Sequence, residues 1–205
     1  MRKKVMVLVA HPDDEVLGCG ATIARHSDLG DEVALMVMSD GETSRSVAEC
    51  NKEERNEGLY SSAKTLGIGE VFLENFPDQK MDTIAILEII KSIESKINKW
   101  RPNIIYTHYG GDLNLDHRIT YQAVMTACRP LPSSTIDSIY TFEVLSSTEW
   151  ASGVENQFRP DRICEVSKYL DVKLAALECY KNELREFPHP RSIEAVEHLA
   201  KIRGA

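Results

Sequence analysis

The chain has 205 residues, 42% of them hydrophobic, with a formal charge of −8; this suits one large domain with a substantial core. The acidic balance argues against a nucleic-acid or anionic-membrane surface, and the charges are interspersed as on solvated faces. No apolar run is long enough to span a bilayer, and none after Met1-Arg2-Lys3-Lys4 reads as a secretory core. The five cysteines (Cys19, Cys50, Cys128, Cys164, Cys179) include no C-x-x-C pair, so a reduced, cytoplasmic protein is expected, with neither a disulfide framework nor a zinc knuckle.

Taken in order, Val5-Met6-Val7-Leu8-Val9 reads as the buried centre of a strand from Lys4 to Ala10. A tight acidic turn leads into a helix from Asp14 to Leu29, ended by Gly30-Asp31, and Glu32 to Met38 is the second strand. Gly18-Cys19-Gly20 falls within the helix and after an acidic turn that would repel a diphosphate. These glycines therefore predict close helix–sheet packing, not a dinucleotide site. Ser39 to Val47 is a polar loop, and a charged helix runs from Ala48 to Leu66. Val71-Phe72-Leu73 is a short strand. Ile86, Ile89, Ile90, Ile93 and Ile97 mark an amphipathic helix over Ile84 to Trp100.

Asn103 to Thr107 is the next buried strand, followed by a polar segment, His108 to His117, and a helix to Cys128. Ile139 to Leu145 and Arg162 to Val166 read as further strands. A helix from Lys168 to Leu184, a rigid turn over Phe187 to Ser192 and a last helix from Ile193 to Ile202 complete the chain. Strands and helices alternate without a Pro/Gly-rich linker or a repeat. This predicts a single α/β domain over residues 1–205, with a mostly parallel sheet between helices. Gly204-Ala205 is an abrupt end, which leaves the last element open to being incomplete.

The chemistry gathers at two strand ends. Ala10-His11-Pro12-Asp13-Asp14-Glu15 follows the first strand, at the carboxyl edge where open α/β sheets bind ligands. His11 and Asp14 can converge on one divalent metal, with Asp13 beside them as a base. The plainer reading is a helix start, in which Pro12 shapes the turn, Asp13 caps it and Asp14 and Glu15 favour the positive end of the dipole. A second cluster about a hundred residues downstream favours the metal. His117 stands beyond another strand end and completes two nitrogens and a carboxylate, with a fourth position open as in a catalytic Zn2+ site. Fe2+ accepts the same donors. Asp116, next to His117, is the natural orienting group.

The motifs A-H-P-D-D-E at 10–15 and D-x-N-x-D-H at 112–117 resemble those of the PIG-L/LmbE-like family of zinc-dependent N-deacetylases. Arg55-Asn56-Glu57 leading to Leu66-Gly67, Phe76-Pro77-Asp78 and the stretch from Glu143 to Trp150 extend the resemblance over nearly the whole chain. It implies a Rossmann-like three-layer fold and removal of acetyl or related acyl groups from amino sugars. It also implies metal ligation by His11, Asp14 and His117, a general base at Asp13, and sugar hydroxyls held by Arg55 and Asp78. Asn114 departs from the pattern, because many members have histidine there. Asn114 can donate a hydrogen bond to an oxyanion but cannot deliver a proton. That leaves Asp13 alone, His108 or His189 to protonate the leaving amine. His108 also suits a substrate contact or the site's rim, and His189-Pro190-Arg191 suits a sugar hydroxyl or a phosphate, or is simply a helix entry. His26 and His198 carry no role.

The expected partner is an N-acetylated sugar or its conjugate, with a homo-oligomer left open. The rival readings are an amidase on a larger acyl or thiol conjugate and a carbohydrate-binding protein without catalysis.

Overall fold

A computed structural model describes residues 2–39, 41 and 52–205. Apart from Ser39 and Gly41, the polar loop expected over Ser39 to Val47 lies outside them, as do the first residues of the helix expected from Ala48. Among the described residues there are five strands, β1 (Lys4–Val9), β2 (Glu32–Ser39), β3 (Glu70–Phe76), β4 (Ile104–His108) and β5 (Ser138–Phe142). They form one sheet in the order β3-β2-β1-β4-β5, with every pair parallel. The α-helices among the same residues are α1 (Asp14–Asp28), α2 (Lys52–Leu66), α3 (Ile86–Trp100), α4 (Leu115–Ala127), α5 (Leu170–Leu177) and α6 (Ile193–Gly204).

The central strand explains the layering. Side chains alternate across a sheet, and in β1 residues 5–9 are all 0% exposed, so both faces are covered. Val5, Val7 and Val9 pack with residues of α1, α2, α5 and α6, including Leu17, Ile23, Leu59, Leu177 and Val196. Met6 and Leu8 pack with Ile89, Ile93 and Val124 of α3 and α4. Each such side chain contributes roughly 1.5–3 kcal/mol on burial, so β1 is a rigid platform. The chain leaves β1 toward β2 and returns beyond β3 to place β4 on β1's other side. The order therefore reverses between β1 and β4, and a crevice opens at their carboxyl ends.

Of the two glycines in α1, Gly18 is the one that packs closely on the sheet, while Gly20 faces Lys173 and Leu66 of neighbouring helices. A Cβ on Gly18 would run into the Phe142 ring. At the next residue, Cys19, the helix breaks (φ −136°, ψ 21°), and the buried Lys173 donates from Nζ to the Leu17 carbonyl at 2.9 Å.

Two sequence expectations are corrected. Arg162 to Val166 is not a strand: Ile163 is 62% exposed and no pairing partner exists among the described residues. β-branched residues favour strands only where a half-buried surface receives them. The helix expected over Lys168 to Leu184 is only α5, preceded by a 3-10 turn over Ser167–Tyr169. After Leu177 the backbone tightens into i→i−3 bonds, Cys179 to Ala176 and Tyr180 to Leu177, and these turn the Tyr180 ring into the core. Other boundaries move by a few residues, and β3 is longer than its three-residue apolar core. Among the described residues no helix is long and apolar enough to cross a membrane.

Gly18→Ala should lower stability by about 1–3 kcal/mol, the usual cost of overpacking, read as a shift of the denaturant midpoint. An unchanged midpoint would show that β5 yields freely to α1.

Candidate metal centre

The turn after β1 is held in an unusual backbone shape. Asp13 lies in the left-handed region (φ 99°, ψ −27°) and is the N-cap of α1, yet its side chain makes no capping bond. Its carbonyl starts the helix by accepting Val16 N and Leu17 N, each at 3.0 Å. Its N–H is bound by Glu15 Oε2 at 3.1 Å. Glu15 is itself locked, because Oε1 accepts the hydroxyls of Tyr180 at 2.6 Å and Ser62 at 3.1 Å. Burial pushes the Glu15 carboxyl up to about 7, against the pull of the Tyr180 hydroxyl. A non-glycine residue in this region costs of order 1–3 kcal/mol and persists where its surroundings impose it. Asp13 thus spends strain to present a carboxylate instead of capping a helix.

Asp14 stands at the centre. It is 0% exposed, and its Oδ2 accepts the His11 N–H at 2.9 Å. Around the same oxygen lie His11 Nδ1 at 3.3 Å, His117 Nε2 at 3.3 Å and His108 Nε2 at 3.4 Å. Burial alone would raise the Asp14 carboxyl, but His117 and His108 hold it well below the usual range. His11 responds in the opposite direction: burial lowers it, and Asp116, Asp14 and Asp78 together hold it well above its ordinary value.

One donor atom each from His11, Asp14 and His117 falls within 4.8 Å of the others. Ligands about 2.0–2.1 Å from a tetrahedral ion lie roughly 3.3–3.4 Å apart, which is the spacing found around Asp14 Oδ2. Asp14 Oδ1, buried as well, makes no hydrogen bond among the described residues. A buried carboxylate with one oxygen facing the imidazoles and the other orphaned fits a divalent cation, since an unpaired buried oxygen is otherwise costly. The group His11, Asp78 and Asp116 also has ligand spacing. There, however, Asp116 is already committed, accepting Gln79 N at 2.8 Å and Met81 N at 3.2 Å.

Each histidine of the first group is backed by carboxylate. His11 Nε2 faces Asp78 Oδ1 at 3.1 Å and Asp116 Oδ2 at 3.2 Å, which leaves Nδ1 toward Asp14. His117 Nδ1 faces Asp112 Oδ1 at 3.2 Å, which leaves Nε2 toward Asp14. Asp112 is gripped by the Ser147 and Thr148 hydroxyls and by Asn114 N at 2.8 Å. Carboxylates behind histidines fix the ring and strengthen its donor nitrogen.

Residues 6–128 match the PIG-L family, described as GlcNAc-PI de-N-acetylase. The chain belongs to the PIG-L family. It is 35% identical over 189 residues to YaiS of Escherichia coli K12, an uncharacterised deacetylase, covering 88% of this chain and 92% of YaiS. It is 25% identical over 191 residues to a probable N-acetyl-alpha-D-glucosaminyl L-malate deacetylase 2 of Bacillus cereus, covering 89% and 84%. In three dimensions it superposes on the conserved protein TT1542 of Thermus thermophilus with a TM-score of 0.80 at 21% identity, covering 98% of this chain and 88% of that one.

The remaining residues singled out in this PIG-L chain divide clearly. Asp116 backs His11, not the adjacent His117, and Asp78, expected at a sugar hydroxyl, also lies against His11. His108 is fully buried, its Nε2 accepting Ala10 N at 2.9 Å and its ring stacked on His117 at 3.9 Å, so it forms the wall behind the ligands and has no surface for substrate. Burial, aided by the neighbouring His117 charge, lowers it to about 4. Asn114 caps α4, its side chain accepting Asp116 N at 2.9 Å, which leaves only the amide nitrogen as a donor. Arg55 binds Glu183 Oε1 at 2.8 Å and the Pro12 carbonyl at 3.4 Å. His189 Nδ1 accepts Arg191 N at 3.0 Å, and Arg191 reaches Asp13.

Sequence reasoning missed Asp112, Glu15, Tyr180 and Glu183 as parts of the centre. Asp112 opens the second motif and Glu15 closes the first, and those places were the usable signals. Tyr180 and Glu183 meet the site only through the fold. Asp112→Asn should weaken metal affinity about 10- to 100-fold, as loss of a carboxylate behind a ligating histidine usually does, measured by competition with a chelator. Unchanged affinity would mean that Asp112 serves the 144–148 loop alone.

Proposed function

We propose that the chain hydrolyses the N-acetyl group of an amino sugar or its conjugate, with a divalent cation, Zn2+ foremost, held by His11, Asp14 and His117. The observation that carries the reading is Asp13: a carboxylate 1% exposed, beside the three-ligand group and released from capping. Burial raises it to about 6, with Arg191 opposing and Asp14 reinforcing the shift. A base with such a value is suited to work near neutral pH. The family, and the N-acetylglucosaminyl substrate in the name of the Bacillus cereus relative, support an amino sugar. Two histidines and a carboxylate suit Zn2+ and Fe2+ equally as donors.

Bound at this centre, the cation supplies Lewis-acid polarisation of the acyl carbonyl and a more acidic water. Asp13 takes a proton from the attacking water as oxygen adds to the acetyl carbon. It then returns that proton to the nitrogen as the C–N bond breaks, giving acetate and free amine. His108 is not placed to share the task, because its Nε2 is engaged by Ala10 N–H and its ring is sealed from solvent. A binding protein would have no use for a strained, uncapped carboxylate here, which is why catalysis is favoured over mere carbohydrate binding.

Acetate release from N-acetylglucosamine, diacetylchitobiose and N-acetylglucosaminyl conjugates tests the proposal. Activity should vanish with chelator and return with zinc. Asp13→Asn should lower kcat by roughly 10²-fold or more, the scale of general base catalysis, while retaining the metal. Loss of metal in that variant would mean that Asp13 is a ligand, and no acetate from any of these compounds would refute the reading.

A further inference from the structure

Arg191 reaches the site from the turn that leads into α6, which is capped by Ser192 Oγ accepting Ala195 N at 3.0 Å. Its Nη1 lies 3.1 Å from Asp13 Oδ2 and 3.5 Å from Glu183 Oε2, and its Nε donates to Ser146 Oγ at 2.6 Å. Glu183 is in turn paired with Arg55 at 2.8 Å. The guanidinium is thus aimed from two edges by the protein's own groups, as a single lysine nitrogen could not be. Sequence reasoning placed Arg191 among substrate contacts; in the structure it lies against Asp13.

We propose that Arg191 is a positioning residue for Asp13. Glu15 fixes the Asp13 backbone, but the Asp13 carboxylate, uncapped and beside that of Asp14, has its orientation set by the Arg191 guanidinium. A buried carboxylate next to another is costly without a cation, and Arg191 supplies one from a side chain that remains 26% exposed. Ser146 belongs to the loop whose Ser147 and Thr148 hold Asp112, and Asp112 backs His117. One loop thereby sets both the base and a metal ligand. This inference rests on the deacetylase reading for its kinetic half only.

The test combines kinetics with unfolding. Arg191→Gln should lower kcat by about 10²-fold, the cost of a misplaced catalytic group. KM should stay within about twofold, since binding is not what is lost. Metal per chain should be unchanged, and Arg191→Lys should recover part of kcat, which also guards against a poorly folded glutamine variant. In the metal-free protein, Arg191→Gln should lower Tm in the wild-type background and much less in Asp13→Asn, a coupling that needs no substrate. A raised KM with intact kcat would make Arg191 a substrate-binding residue and overturn the proposal. Additive Tm shifts would overturn it whatever the substrate is. Wild-type protein that releases no acetate would refute the deacetylase reading, while the Tm cycle would still decide whether Arg191 holds Asp13.

Discussion

Asp14 is wholly buried at the end of the central strand, and the nitrogens of three imidazoles surround one of its oxygens. Nothing in a hydrophobic core tolerates such a group unless its charge is matched, so the surrounding architecture must deliver the match. It does so by adjacency of strands. His11 and Asp14 follow β1, and His108 and His117 end or follow β4. The two strands are neighbours only because the chain reverses direction across the sheet between them. The Ala10 N–H bound to His108 Nε2 ties the two ends together. Changing the strand order would separate the carboxylate from two of its three histidines.

Around this centre the polar groups are arranged in a second ring that carries little freedom. Asp116 is fixed by the backbone of Gln79 and Met81, and Asp112 by Ser147, Thr148 and Asn114 N, before either meets its histidine. Glu15 is fixed by Tyr180 and Ser62 before it meets Asp13. A site assembled in advance avoids reorganising during reaction, and this is where preorganised electrostatics gains its effect. The position of Asp13 follows the same logic, with a strained backbone held from one side and a carboxylate paired from the other.

Much of this was legible in the chain. The run Val5 to Val9 announced a strand covered on both faces, the alternation of elements announced a parallel sheet, and the two motifs fell at strand ends as the fold required. Side-chain roles were less legible, because local chemistry admits several uses for one residue. Asp13 stands at the N-cap but its side chain makes no capping bond, while Asn114, read for its amide donor, also caps α4 through its oxygen. Tyr180 on Glu15 and Arg191 on Asp13 join residues 165 and 178 positions apart, and no periodicity encodes such pairings. The strand expected at Arg162 to Val166 failed for the converse reason: its composition was suitable, and no neighbour among the described residues received it.

Base, ligands and backing carboxylates have a common purpose only if His11, Asp14 and His117 form one cation site, with Asp78, Asp112 and Asp116 behind it. Anomalous diffraction at the zinc edge, from crystals grown with zinc, locates the ion. One strong peak is expected, roughly 2.0–2.2 Å from His11 Nδ1, an Asp14 oxygen and His117 Nε2. A peak on the other side of the His11 ring, bound by Asp78 and Asp116, would contradict this assignment.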